Sequence, residues 1–496
     1  MSQPGKPLSM AGFAFCAALL FLYVVFTPPL TGMADNNDFS RSFYGIAYID
    51  RDYYYSTQKF VYVNTEYAIT PFPYQCLTTS PSLSPVYSVY AGRLLSRMLG
   101  HDTFQMSLYC WLTGGVYILL LTALYGMLLP RKPVWRAALA AAMLFVFMDG
   151  CWTVWWYSLY GEPHILIGML SLGFFFLLFL RAEGWHPSSP ILPLIPLLGI
   201  GMSGHYLLGA KLQAVSLLPA VAMLIAYLIA RIWMGRKAAR YGWLKLFIAA
   251  LLLPLLLFRG VAVYQLTGNR FNSETLYHSV FYGLLADSPA PADVLAELGL
   301  SPELLADVGN HSYLPDDRYV YGGRKTERMR QEFYDKVSNT TIVRYYLTHP
   351  AALWRGMNYT ASQAFRTDSG IGHFTEADHQ RFDLTGRGVR FSLWSAIRTR
   401  LPKSLWFLLL VCVGSLAATI AMYRAVPAGR IRDACVFFWS VLAMGVLQFP
   451  MPYIFNGRAD TAKQLFTFNY VFDIALFVLL VSAGYLGMRF LRRIRR

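Results

Sequence analysis

Ten stretches of the chain are apolar almost without interruption, at about 9–30, 104–129, 137–153, 163–181, 190–208, 213–231, 244–264, 404–423, 435–451 and 465–488. Roughly 20 such residues cross the hydrocarbon core as a helix, which satisfies every backbone N–H and C=O where no water can. The pattern predicts an all-α polytopic membrane protein with ten transmembrane helices. The first run continues through Phe26-Thr27-Pro28-Pro29-Leu30 with no small-residue cleavage site, behind a weak basic start at Lys6. It reads as a retained helix and not as a removable leader.

The polar segments divide the chain into an N-terminal transmembrane module (1–264, seven helices) that includes a first outer loop (31–103), an extracytoplasmic segment (265–403) and a C-terminal module of three helices (404–496). The 265–403 segment resembles soluble sequence. Ser301-Pro302-Glu303 opens a turn, 326–337 is amphipathic, and Pro350 opens a helix over 351–365. Its balanced charge and many aromatics predict a helical loop packed on the outer membrane surface, roofing a cavity made by the first outer loop. Over 389–401 arginines alternate with Phe391, Leu393, Trp394 and Ile397, so that stretch should lie in the interface plane.

Composition strengthens this picture: the 496 residues are 56% hydrophobic and only 14% charged, with a mean hydropathy of +0.39. A soluble enzyme, a nucleic-acid binder and a disordered scaffold are excluded. The net charge of +16 is then a matter of topology. With the N-terminus inside, the cytoplasmic segments hold Lys6, Arg131, Lys132, Arg136, Arg181, Arg231, Arg236, Lys237, Arg240, Lys245, Arg424, Arg430, Arg432, Arg489, Arg492, Arg493, Arg495 and Arg496 against only Glu183 and Asp433. Basic and acidic residues balance on the other side, so the excess follows the positive-inside rule and calls for no polyanion beyond anionic membrane lipid. Both termini are placed in the cytoplasm. The six cysteines show no paired spacing, so neither a disulfide framework nor a zinc site is implied.

Chemistry is sought at the outer ends of the helices. After the first comes Gly32-Met33-Ala34-Asp35-Asn36-Asn37-Asp38-Phe39-Ser40-Arg41, where a carboxylate near lipid can act as a general base. A polar turn that only ends the helix would look the same. Another outer turn, Trp155 to His164, carries Glu162 and His164 among interface aromatics. His205, Lys211, Arg259, Arg458, Asp460 and Lys463 stand at further outer ends, where cations can meet a lipid phosphate or merely snorkel to headgroups. Asp473 lies about two turns inside the last helix, where an ionisable group needs a partner.

These elements resemble a known family. Asp35-Asn36-Asn37-Asp38-Phe39, Tyr160-Gly161-Glu162-Pro163, Gly209-Ala210-Lys211-Leu212-Gln213, the run Tyr282 to Pro289, Leu298-Gly299-Leu300, Thr348-His349-Pro350 and the run Ala459 to Asn469 with Phe472-Asp473 are similar to the bacterial glycan-biosynthesis hexose transferases, membrane glycosyltransferases of the GT-C class. The resemblance implies a GT-C-like fold in the bacterial cytoplasmic membrane, a polyprenyl-phosphate-linked sugar as donor, a glycan or glycolipid acceptor, and a catalytic acid in the first outer loop. One departure is Asn37, where the family commonly has glycine. The resemblance does not choose between Asp35 and Asp38 as base; Asp38 is preferred, with Glu162 as a further catalytic candidate. Lys463, Arg458, Lys211 and Arg41 would meet the donor phosphate. Asp35, Asp38 and Glu162 offer hard oxygens that would suit Mg or Mn. A transporter or flippase of a lipid-linked sugar is the alternative, although its usual midplane charges and inverted repeats are not evident. A glycan ligase or polymerase would use the same kind of site.

Overall fold

The protein is described by a computed structural model covering residues 6–78, 82–182, 194–235, 241–366, 370–427 and 429–494. Glu183, Arg236, Lys237, Arg240, Arg495 and Arg496 of the orientation reading, and 190–193 of the fifth predicted span, lie outside the described residues. Among the described residues eight helical segments are long and apolar enough to cross a membrane. They are Lys6–Phe26, Met106–Leu128, Glu162–Ala182, Leu212–Gly235, Gly242–Thr267, Leu405–Ala425, Ile431–Asn456 and Phe466–Gly487. Each coincides with a predicted apolar run. The predicted span at 190–208 appears as a shorter apolar helix, Leu194–Leu208.

The predicted span at 137–153 is not straight. It consists of Pro133–Phe147 and Gly150–Trp156, bent by 56°. Asp149 makes the break: its Oδ1 accepts from the Cys151 N–H at 2.9 Å and its Oδ2 from the Ser395 N–H at 3.1 Å. Gly150 lets another strand of backbone pass, because a Cβ there would lie 2.2 Å from the Arg390 carbonyl oxygen. Hydropathy registers length and cannot register such a bend.

The chain forms two compact units. The first comprises Met1–Gln265, Gly370–Arg400 and Ala428–Ser440; the second comprises Leu266–Ser369, Leu401–Pro427 and Val441–Arg496. This division differs from the predicted 1–264, 265–403 and 404–496 modules, since the long outer segment is shared between the units.

In the first unit the outer loop carries a small antiparallel sheet that the apolar pattern does not reveal. Strands β1 (Ile46–Ala47), β2 (Glu66–Ile69) and β3 (Thr103–Gln105) pair in that order, with Tyr67 opposite Phe104. Both of those side chains are buried. Residues 370–374 are laced to this loop: Gly32 and Ala34 donate their N–H groups to the carbonyls of His373 and Gly372, and Val63 donates to that of Phe374, all at 2.9 Å. Part of the long outer segment thus covers the first outer loop.

The 389–401 stretch contains the helix Leu393–Arg398. Leu393 and Ile397 point outward, while Arg398 is 1% exposed with its guanidinium 4.6 Å from the Trp152 ring. An apolar outer side and an inward arginine suit a segment whose outer face meets lipid. At the other ends of the helices, Arg231 pairs with Asp433 at 2.6 Å and Arg181 donates to the Met127 carbonyl at 2.5 Å.

The second unit has its own core, in which Tyr277, Phe281, Phe333, Tyr346 and Tyr453 are buried together. Two predicted helix starts are present: Ser301 caps Pro302–Asp307, and Pro350 opens Pro350–Gln363. The amphipathic 326–337 stretch is a short helix, Glu327–Met329, that widens into a π-turn over Arg330–Tyr334.

Candidate active site

Past the first helix the chain reverses through Asn37, which adopts a left-handed conformation at φ +80° and opens the 3-10 helix Asp38–Ser42. Among residues with a Cβ, asparagine visits this region most readily. The departure from glycine at Asn37 therefore keeps the backbone that a glycine would take.

Asp35 and Asp38, equivalent in sequence, have different surroundings. Asp35 is 1% exposed; its Oδ1 accepts from the Phe39 N–H at 3.1 Å and its Oδ2 from the Tyr48 hydroxyl at 2.7 Å. Burial raises its pKa above the usual carboxylate value, against the opposing effect of these two donors. Asp35 holds the short helix in place. Asp38 reaches Arg41 at 3.1 Å, with its side chain 19% exposed.

The second outer turn clamps this loop. The Tyr160 hydroxyl accepts from the Asn36 N–H at 3.0 Å and donates to the Ala34 carbonyl at 2.8 Å, and its ring packs on Phe39. Ser42 Oγ donates to the Leu159 carbonyl at 2.8 Å. The next residue, Gly161, lies against a third turn, where a Cβ would be 2.7 Å from the Ala210 carbonyl oxygen and 2.9 Å from Lys211 Cβ. Only glycine allows that approach. It brings Lys211 Nζ to 2.7 Å from Glu162 Oε1, with both side chains nearly buried.

Below this pair, His164 is fully buried between two tyrosines, with Nε2 2.9 Å from the Tyr109 hydroxyl and Nδ1 2.6 Å from that of Tyr206. Arg259 donates to the Ser82 carbonyl at 2.6 Å and, through Nε, to the His205 carbonyl at 3.4 Å. The Ser84 N–H donates to the Gly209 carbonyl at 2.7 Å. His164, Arg259 and the backbone of His205 thus hold the turns in place and do not line the site.

What these turns enclose is a small cleft open to one side, lined by Asp38, Arg41, Ser42, Leu83, Pro85, Gly161, Glu162, Ala210 and Lys211. Four of the predicted residues, Asp38, Arg41, Glu162 and Lys211, meet there as two carboxylates and two cations. Leu83, Pro85 and Ser42 were not foreseen, since nothing in their residue types signals a site.

Arg458, Asp460, Lys463 and Asp473 belong to the second unit. Arg458 grips the Asp287 carboxylate through Nη2 and Nε, and Asp287 Oδ2 also accepts from the Tyr453 hydroxyl at 2.5 Å. That carboxylate raises the pKa of Arg458. Asp287 and Tyr453 were missed as partners, although Asp287 lies inside a quoted motif. Gly457 permits the contact, because a Cβ there would fall 2.2 Å from the His278 carbonyl oxygen. Asp460 is exposed and stands before the short helix Thr461–Gln464; Lys463 and Asp473 are buried.

Among the described residues no three His, Cys, Asp or Glu side chains are grouped so as to hold a metal ion. The proposed Asp35, Asp38 and Glu162 set fails because both Asp35 oxygens face protein donors outside the cleft and one Glu162 oxygen is bonded to Lys211.

An all-helical bundle of spans with a polar cleft at the helix ends defines a polytopic integral membrane protein. More specifically, the chain belongs to the YfdI N-terminal transmembrane domain family, whose model matches residues 6–490. No curated protein and no solved structure matches the chain.

Proposed function

We propose that the protein is a membrane glycosyltransferase of the GT-C kind, moving a hexose from a polyprenyl-phosphate donor to a glycan or glycolipid acceptor on the extracytoplasmic side of the bacterial cytoplasmic membrane. The observation that carries this reading is the cleft in which Asp38 faces Arg41 and the Glu162–Lys211 pair. It opens at the helix ends opposite Arg181 and the Arg231–Asp433 pair, and the basic turns belong on the cytoplasmic side.

The chemistry needs only these groups. Asp38 takes the proton of an acceptor hydroxyl as its oxygen forms a bond to the anomeric carbon from the face opposite the phosphate. The bond from that carbon to the phosphate oxygen breaks, and its electron pair leaves with polyprenyl phosphate. Arg41 stabilises the charge that develops on that phosphate, and Lys211, held by Glu162, adds its positive charge from farther off. Configuration at the anomeric carbon inverts. Asp35 supports the helix that presents Asp38 and takes no part in the proton transfer.

The test uses the full chain in lipid nanodiscs, supplied with polyprenyl-phosphate hexoses and a glycolipid acceptor, and follows both sugar transfer and release of polyprenyl phosphate. Release coupled to transfer is expected. Failure of every hexose donor to yield polyprenyl phosphate would remove the reading.

A further inference from the structure

Glu162 carries a feature that the transfer step leaves unused. One of its oxygens, Oε1, is bonded to Lys211 at 2.7 Å. The other, Oε2, is buried and meets no donor among the described residues, in a side chain only 3% exposed. Glu162 also lines the cleft. A buried carboxylate oxygen lacking a donor is costly, so a ligand that brings a donor to it is favoured there.

The charge of the oxygen selects the kind of ligand. A phosphate or a carboxylate would meet like charge at Oε2, whereas a hydroxyl donates to it in a charge-assisted hydrogen bond. Lys211 strengthens the choice, because it fixes the carboxylate rotamer through Oε1 and leaves Oε2 as the acceptor. Gly161 and Ala210 hold the two backbones together at that point, so the acceptor is presented by a rigid turn.

We infer that Glu162 Oε2 is a hydroxyl-recognition point for the transferred sugar, accepting a hydrogen bond from one ring hydroxyl of the hexose while the anionic phosphate lies towards Arg41. The inference rests on the sugar-transfer reading, and gives Glu162 the role of choosing the sugar in place of a role as base. A site built around such an acceptor rejects the analogue that lacks the hydroxyl far more strongly than a merely apolar pocket could.

The experiment separates the two claims by measuring binding and transfer independently. Full-length protein in lipid nanodiscs, free of sugar-headed detergents, is examined by saturation-transfer NMR with neutral methyl hexosides and their monodeoxy analogues. The matching polyprenyl-phosphate donors are assayed for transfer. For wild type, removal of one particular hydroxyl should lower binding at least 10-fold and transfer about 10²-fold or more. In Glu162→Gln that discrimination should shrink to within a few-fold. If hexosides bind with this Glu162-dependent preference but no donor is turned over, the recognition point stands and the transferase reading falls. If transfer occurs and wild type is indifferent to every single hydroxyl, or Glu162→Gln keeps the full preference, the recognition point is overturned and the transferase reading stands. Should Glu162→Gln fail to fold, wild-type indifference to every single hydroxyl still overturns the recognition point, and Glu162→Asp, which withdraws the carboxylate by one methylene, should lose the preference where the wild type shows it.

Discussion

The α-carbon of Gly161 lies so close to Ala210 that a methyl group placed on it would sit 2.7 Å from the Ala210 carbonyl oxygen. This contact joins two turns that are about 50 residues apart in sequence and sets the reach of Lys211 to Glu162. Gly161→Ala should push the turns apart, lowering stability by about 1–3 kcal/mol as overpacking does, and should lower turnover as well. A melting temperature and a rate equal to wild type would show that the approach has slack.

The two acidic residues of the first outer loop should separate cleanly. Asp38→Asn removes the proposed base with little effect on the fold, so turnover should drop about 10²- to 10⁴-fold with an unchanged melting temperature. Asp35→Asn places an amide NH₂ against one of two donors, the Phe39 N–H or the Tyr48 hydroxyl, and should cost about 1–3 kcal/mol of stability. If Asp35→Asn alone abolished turnover without loss of stability, the base would be Asp35.

Asp35 also predicts a pH dependence. Its pKa in the folded protein is raised from the ordinary 3.8, mainly by burial. The folded state therefore binds the proton more tightly than the unfolded one. The stability this contributes is complete below 3.8 and is lost as pH rises through the higher folded value. The stability difference between wild type and Asp35→Asn should shift against wild type across that window. Parallel stability curves for the two proteins would contradict it.

Asn37 should behave as a backbone position. Asn37→Gly should be tolerated, since glycine adopts the observed φ of +80° freely. Asn37→Val should cost about 1–2 kcal/mol or more, because a left-handed β-branched residue clashes with its own carbonyl. Equal melting temperatures for the two variants would mean that the loop rearranges.

Orientation can be read by labelling single cysteines in a cysteine-free background. Tyr74 and Met234 are 65% and 78% exposed. A membrane-impermeant maleimide should label Tyr74→Cys in intact cells and Met234→Cys only after permeabilisation. The reverse pattern would invert the topology and turn the cleft towards the cytoplasm.

The spans were legible because lipid allows few solutions: a run such as 163–181 must be helical wherever it sits. The bend at Asp149-Gly150 was not, because it depends on backbone contacts with Arg390 and Phe391 some 240 residues later. The small sheet escaped notice for a related reason, its strands being only two to four residues long. At the site, residue type alone pointed to Asp38, Arg41, Glu162 and Lys211. It could not tell Asp35 from Asp38, because the difference lies in Tyr48, which reaches back from the far side of the loop. Nor could it distinguish Arg259, which binds backbone carbonyls, from an arginine available to a ligand.

His164 bears on how the cleft responds to its surroundings. Tyr109 and Tyr206 grip both of its ring nitrogens in a fully buried place, beyond the reach of dissolved ions. The spacing between the helix that begins at Glu162 and the one that ends just before Lys211 is thus set from beneath, by contacts that ionic strength does not weaken. Added salt should slow the arrival of the proposed anionic lipid donor at Arg41, yet leave the geometry of the cleft unaltered.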